Sequence, residues 1–97
     1  MPYVLMANRS AIESRIERLG RYIGLGDTGF DSFMDWVLSL RTEINIPSTL
    51  SELGIDDQQS HRVGQMAVRD PSAGTNPITY SAENYEQIFL NALTGKL

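Results

Sequence analysis

Apolar positions recur at helical spacing through most of the chain and nowhere alternate as they would in a half-buried strand. The opening stretch, MPYVLMA, is almost wholly apolar and offers no N-cap side chain, so a helix here has no visible start signal. Ser10 and Glu13 then read as an S-x-x-E capping box. Behind it Ile12, Ile16, Leu19 and Ile23 follow at spacings of four, three and four, one narrow helical stripe that Gly24 and Gly26 bring to an end. A second helix is predicted over residues 29–44. Its apolar residues, Phe30, Phe33, Met34, Trp36, Val37, Leu38, Leu40 and Ile44, cover more than half of the circumference, which calls for contact on two sides and makes it the central helix. Pro47 forbids its continuation.

Thr49 and Glu52 form a second capping box, and Gly54 stops that helix after about one turn. Asp56 or Asp57 is expected to cap the next helix, with Val63, Met66 and Ala67 on its buried face and His61 on its polar side. Residues 69–81, RDPSAGTNPITYS, are rich in turn formers. Ser81 caps a last helix carrying Tyr85, Ile88, Phe89, Ala92 and Leu93 on one face, closed by Gly95. The expected fold is all-α, a helical bundle of about four main helices plus a short helical turn, in a single domain over residues 1–97.

Composition narrows the chemistry. Of 97 residues, 41% are hydrophobic and 21% charged, which suits a globular chain. No apolar run approaches a membrane span, and the opening residues lack the basic n-region and apolar h-region expected of a signal peptide. Cysteine is absent, which excludes disulfides and thiolate chemistry and fits a cytoplasmic setting. His61 is the single histidine, so this chain alone cannot build a multi-histidine metal centre; a lone surface histidine is the commoner role at such a position. The net charge of −4 is unevenly spread. Arg9, Arg15, Arg18 and Arg21 outnumber Glu13 and Glu17 at the start, whereas residues 26–60 set Arg41 against seven carboxylates. That acidic middle argues against a nucleic-acid partner, and the face with Arg15, Arg18 and Arg21 reads as solvated helix surface.

Catalytic signatures are missing. There is no phosphate-binding loop with its lysine, since Lys96 is the only lysine. GLGDTG at residues 24–29 is superficially like a dinucleotide fingerprint but follows a helix rather than a strand. Asp56 and Asp57 are adjacent carboxylates at a helix start with no third ligand in view. Read from its residues, the chain is a helical module with no catalytic, cofactor-binding or metal-binding residues of its own.

Three segments together resemble a known family. MPYVLMAN at residues 1–8 is similar to the LPxVxxFN stretch of iron-containing (group III) alcohol dehydrogenases, of the dehydroquinate synthase-like superfamily. INIPSTLSELGI at residues 44–55 resembles their L-G-I-P-x-x-L-x-E-L-G-V segment. RDPSAGTNP at residues 69–77 resembles their closing D-P-C-T-x-T-N-P loop, which precedes a terminal helix. Order and spacing agree, and the resemblance covers essentially the whole chain.

The resemblance implies the C-terminal portion of the helical domain of a two-domain oxidoreductase. The parent enzyme would bind NAD(P) in an N-terminal α/β domain and hold iron, or zinc, through an Asp and three His, the metal polarising the alcohol oxygen while hydride passes to the nicotinamide. The last ligand histidine of the family lies in an H-G-x-x-N-A stretch just before the LPxV segment, so all four metal ligands and the nucleotide-binding glycines would precede residue 1. His61 matches none of them, and the opening helix would be the tail of a longer ligand-bearing one. Ser72 stands where the family usually has cysteine. Ser72, Thr75 and Asn76 are the substrate-side positions that the resemblance implies, with Phe30, Phe33, Trp36, Val37, Leu40 and Tyr85 in packing. The expected partner is the nucleotide-binding domain, and the fragment alone is expected to be inactive. The alternative is a stand-alone helical interaction module that forms a homo-oligomer through apolar surface around residues 1–6.

Overall fold

The computed structural model describes residues 1–97 and contains five α-helices and no strand. They are α1 (Pro2–Ala7), α2 (Arg9–Tyr22), α3 (Phe30–Glu43), α4 (Ser60–Ala67) and α5 (Ala82–Thr94), with 3-10 turns at Ser51–Leu53 and Pro71–Thr75. The all-α class is as expected. No helix is long and apolar enough to cross a membrane. The helices form two compact units, Met1–Ile46 and Pro47–Leu97.

In the first unit, α1 does have a start signal: Pro2 sits in its first turn, where the missing N–H costs nothing and the fixed φ is already helical. Ser10 does not act as a cap. Only Asn8 separates α1 from α2, and it lies in the right-handed helical region at φ −85°, ψ 0°. Asn8 donates its amide to the Val4 carbonyl and accepts from the Ala11 amide, so the helical hydrogen bonding runs on across the joint. Glu13 is taken by Arg9, which forks between Glu13 (3.1 Å) and Asp31 (2.7 Å) while lying 4.7 Å over the Phe30 ring.

The core joins Ile12 and Ile16 of α2 to Phe30, Phe33, Met34 and Val37 of α3, with Leu5, Met6 and Leu25 packed on it. The expected stripe of α2 is corrected at its far end. Gly20 is buried where Leu19 and Ile23 are exposed, because a Cβ at position 20 would stand only 3.3 Å from Thr28 Cα. Trp36 and Leu40 of α3, with Ile44 at its C-cap, stay exposed, so one of the two apolar sides that the pattern calls for is uncovered. Both helices end in Schellman motifs. Leu25 and Gly24 donate to the Gly20 and Arg21 carbonyls after α2; Ile46 and Asn45 donate to Arg41 and Thr42 after α3. Asn45, at φ 56°, takes the left-handed place that glycine usually fills, so α3 stops before Pro47 can act on it.

In the second unit, the Thr49–Glu52 box forms as expected, with Thr49 N donating to Glu52 at 3.0 Å and Glu52 N donating to Thr49 Oγ1 at 3.3 Å. Gly54 ends that turn at φ 76°. The turn is tied to the far end of α5, since Leu50 N donates to the Ala92 carbonyl and Ser51 Oγ to that of Leu93. Neither Asp56 nor Asp57 caps α4. Asp56 instead accepts from the Gln58 amide in a local turn, and α4 starts at Ser60 after Gln59. Met66 is 63% exposed rather than buried, because the residue that α4 turns inward is Gly64. A Cβ there would overlap the Ala82 carbonyl oxygen and reach Glu86 Cβ at 3.1 Å, so α4 and α5 meet at backbone distance. Ser81 caps α5 in a reciprocal box with Asn84. Tyr80, just before the cap, packs edge-on against Tyr85 at 5.6 Å as a hydrophobic staple.

Candidate functional site

The loop between α4 and α5 is bracketed by two X-Pro junctions, Asp70–Pro71 and Asn76–Pro77. Proline excludes the residue before it from the helical region. Asp70 (φ −67°, ψ 134°) and Asn76 (φ −66°, ψ 138°) are accordingly extended, and the five residues between them coil into a 3-10 turn. Asp70 caps that turn by accepting from the Ser72 amide at 2.7 Å. Thr75 Oγ1 donates to the Ser72 carbonyl at 2.9 Å, and Asn76 Nδ2 donates to the Ile78 carbonyl at 2.7 Å.

An open cleft of about 320 Å³ lies on this loop, lined by Ala67 of α4, Asp70, Ser72, Ala73, Asn76 and Tyr85 of α5. Of the three positions expected on the substrate side, Ser72 and Asn76 share this cleft. Thr75 is not on its wall; its hydroxyl is spent on the loop's own carbonyl. Asp70, the D of the compared motif, and Tyr85, expected in packing, are further polar wall residues that were not among the expected substrate-side positions. Asp70 could have been found from its place before Pro71, where a capping carboxylate is favoured. A smaller cavity of about 180 Å³ lies beside Ala73, Gly74, Thr79, Tyr80 and Tyr85. Burial, and then the Tyr85 neighbour, raises the Tyr80 phenol above its ordinary range, and its hydroxyl oxygen is enclosed without a hydrogen-bond partner.

The Ser72 hydroxyl and then its amide hold the Asp70 carboxyl below its ordinary value of 3.8. A carboxylate depressed by folding contributes its hydrogen bonds fully above the unfolded value and loses them as pH falls through the lower folded one. A carbonyl-carbon NMR titration should therefore give a midpoint for Asp70 below 3.8, moving upward in Ser72→Ala. A midpoint at or above 3.8 in the unaltered chain would contradict this geometry.

His61 lies outside this cleft. Its Nδ1 is 3.3 Å from Glu86, its Nε2 is 2.9 Å from the Gln65 amide nitrogen, and its side chain is 69% exposed. Glu86 also accepts from Ser60 Oγ at 2.8 Å, so the cluster fastens α4 to α5. Nowhere do three His, Cys, Asp or Glu side chains gather as metal donors.

Comparison with known proteins places this geometry. The family model described as "Fe-containing alcohol dehydrogenase family, C-terminal" matches residues 1–93. The chain belongs to the Fe-containing alcohol dehydrogenase family. It is 27% identical to the NADPH-dependent butanol dehydrogenase of Clostridium saccharobutylicum, over an alignment covering 92% of this chain and 25% of that enzyme. The chain thus spans about a quarter of the length of that relative. No solved structure matches it. Set against its family, the chain supplies helices and the loop 70–76, while its own side chains do not fit an iron site.

Proposed function

We propose that residues 1–97 are the C-terminal helical part of an NAD(P)-dependent, iron-containing alcohol dehydrogenase, an oxidoreductase acting on alcohols. In that enzyme they form one wall of the catalytic cleft. The observation that carries this reading is the family match over residues 1–93. The cleft under residues 70–76 supports it, because Ser72 and Asn76 put small polar groups on one open surface. Iron and nicotinamide would be held by residues outside these 97, chiefly in a nucleotide-binding domain. The uncovered α3 edge of Trp36, Leu40 and Ile44 would be available to that partner. The chain alone would then have no turnover.

The test is a chimera in which residues 1–97 replace the matching C-terminal quarter of the butanol dehydrogenase. Alcohol-dependent reduction of NAD(P) is expected from the chimera and not from the isolated chain supplied with iron. Turnover by the isolated chain, or a folded, nucleotide-binding chimera that oxidises no alcohol, would overturn the reading.

A further inference from the structure

The cleft under residues 70–76 has one charged wall residue, Asp70, and no lysine, arginine or histidine among the residues that line it. Its other polar groups, on Ser72, Asn76 and Tyr85, are neutral. A carboxylate has room for about four hydrogen bonds. The Ser72 amide supplies one to Asp70 at 2.7 Å. Acceptor capacity remains for a hydroxyl group brought into the cleft, while a second anion there meets an unneutralised negative charge at short range.

We propose that Asp70 is a specificity-determining residue, accepting uncharged hydroxyl compounds into this cleft and turning away those that carry a carboxylate or phosphate. The proposal rests on the reading that this loop faces the substrate. An aspartate carboxyl is ionised over the whole neutral range even without a shift, so the discrimination does not depend on pH there. Because Asp70 stands in water, the repulsion is modest, about three- to tenfold in affinity.

The experiment uses the 97-residue chain and two probes of equal length, 1,4-butanediol and 4-hydroxybutyrate, which share a terminal hydroxyl and differ in charge at the other end. The readout is the amide NMR shifts of Ser72, Ala73 and Asn76. Saturable shifts are expected with the diol, and at least threefold weaker binding with the hydroxy acid. Asp70→Asn keeps a capping acceptor and so the turn, and it should close the gap between the probes. In the unaltered chain the gap should narrow at about 1 M salt, where charges are screened within roughly 3 Å. Equal binding of the two probes, a gap that survives in Asp70→Asn, or no saturable shift with either probe would overturn the proposal. Alcohol oxidation by the chimera is a separate measurement, so a cleft indifferent to charge would sink the role of Asp70 without touching the dehydrogenase reading.

Discussion

Replacing Phe30 by alanine is expected to destabilise the chain by about 3–5 kcal/mol, the usual cost of removing a buried phenylalanine. Phe30 is 2% exposed and stands among Ile12, Ile16, Phe33, Met34 and Val37. The ring also underlies the Arg9 guanidinium, so its loss loosens the fork to Glu13 and Asp31 at the same time. Total stabilities of domains are about 5–15 kcal/mol, so the change takes roughly a fifth or more of what is available. Urea unfolding followed by circular dichroism measures it directly. Tyr22→Ala is the control: Tyr22 is 89% exposed, and its loss should stay within about 0.5 kcal/mol. A Phe30→Ala midpoint no lower than that of Tyr22→Ala would mean that the cluster is not the core.

Gly64→Ala is the second large effect. In an exposed helix, alanine for glycine would gain about 0.5–1 kcal/mol. Here the added methyl would overlap the Ala82 carbonyl oxygen, a backbone atom that cannot rotate away, and crowd Glu86 Cβ. Overpacking of this kind costs about 1–3 kcal/mol, so the net sign is destabilising. For a chain of this length that is a fall of roughly 4–8 °C per kcal/mol in the melting temperature. Gly74→Ala provides the contrast, since nothing lies within 4 Å of a Cβ there. A Gly64→Ala protein that melts with or above the parent would show that α4 and α5 do not meet as described.

The two glycines also mark how far the fold was legible in the sequence. Spacing and caps locate α3 to within a residue at each end, and they find the Ser81 cap, the Thr49–Glu52 box and the stops at Gly24, Gly54 and Gly95. These signals are local, and local physics decides them. The errors arise where a distant contact decides. Ser10 looks like a cap in isolation, but Asn8, itself bonded back to Val4 of α1, already supplies the acceptor for the Ala11 amide in the first turn of α2. Met66 and Leu19 look like core to a pattern that weighs hydrophobicity. The structure instead turns Gly64 and Gly20 inward, because each contact is set by how closely two backbones approach. At the candidate site, Ser72 and Asn76 were accessible through the resemblance of RDPSAGTNP to a family loop. Asp70 was read only as a letter of that motif and Tyr85 only as a packing residue, since only the folded loop brings a residue just after α4 beside one from α5.

The seam at Gly64 has a consequence for recognition at the loop. Residues 70–76 hang between the end of α4 and the start of α5, two helices in backbone contact and further fastened by Ser60, His61 and Glu86. The amides of Ser72, Ala73 and Asn76 and the Thr75 hydroxyl are engaged in turn bonds, and two prolines stiffen the ends of the loop. Such a segment has few free torsions to give up when a small molecule arrives. On the proposed reading, recognition there would be lock-and-key: the shape is ready-made, little ordering entropy would be lost on association, and selectivity would come from groups already in position rather than from a flap that closes.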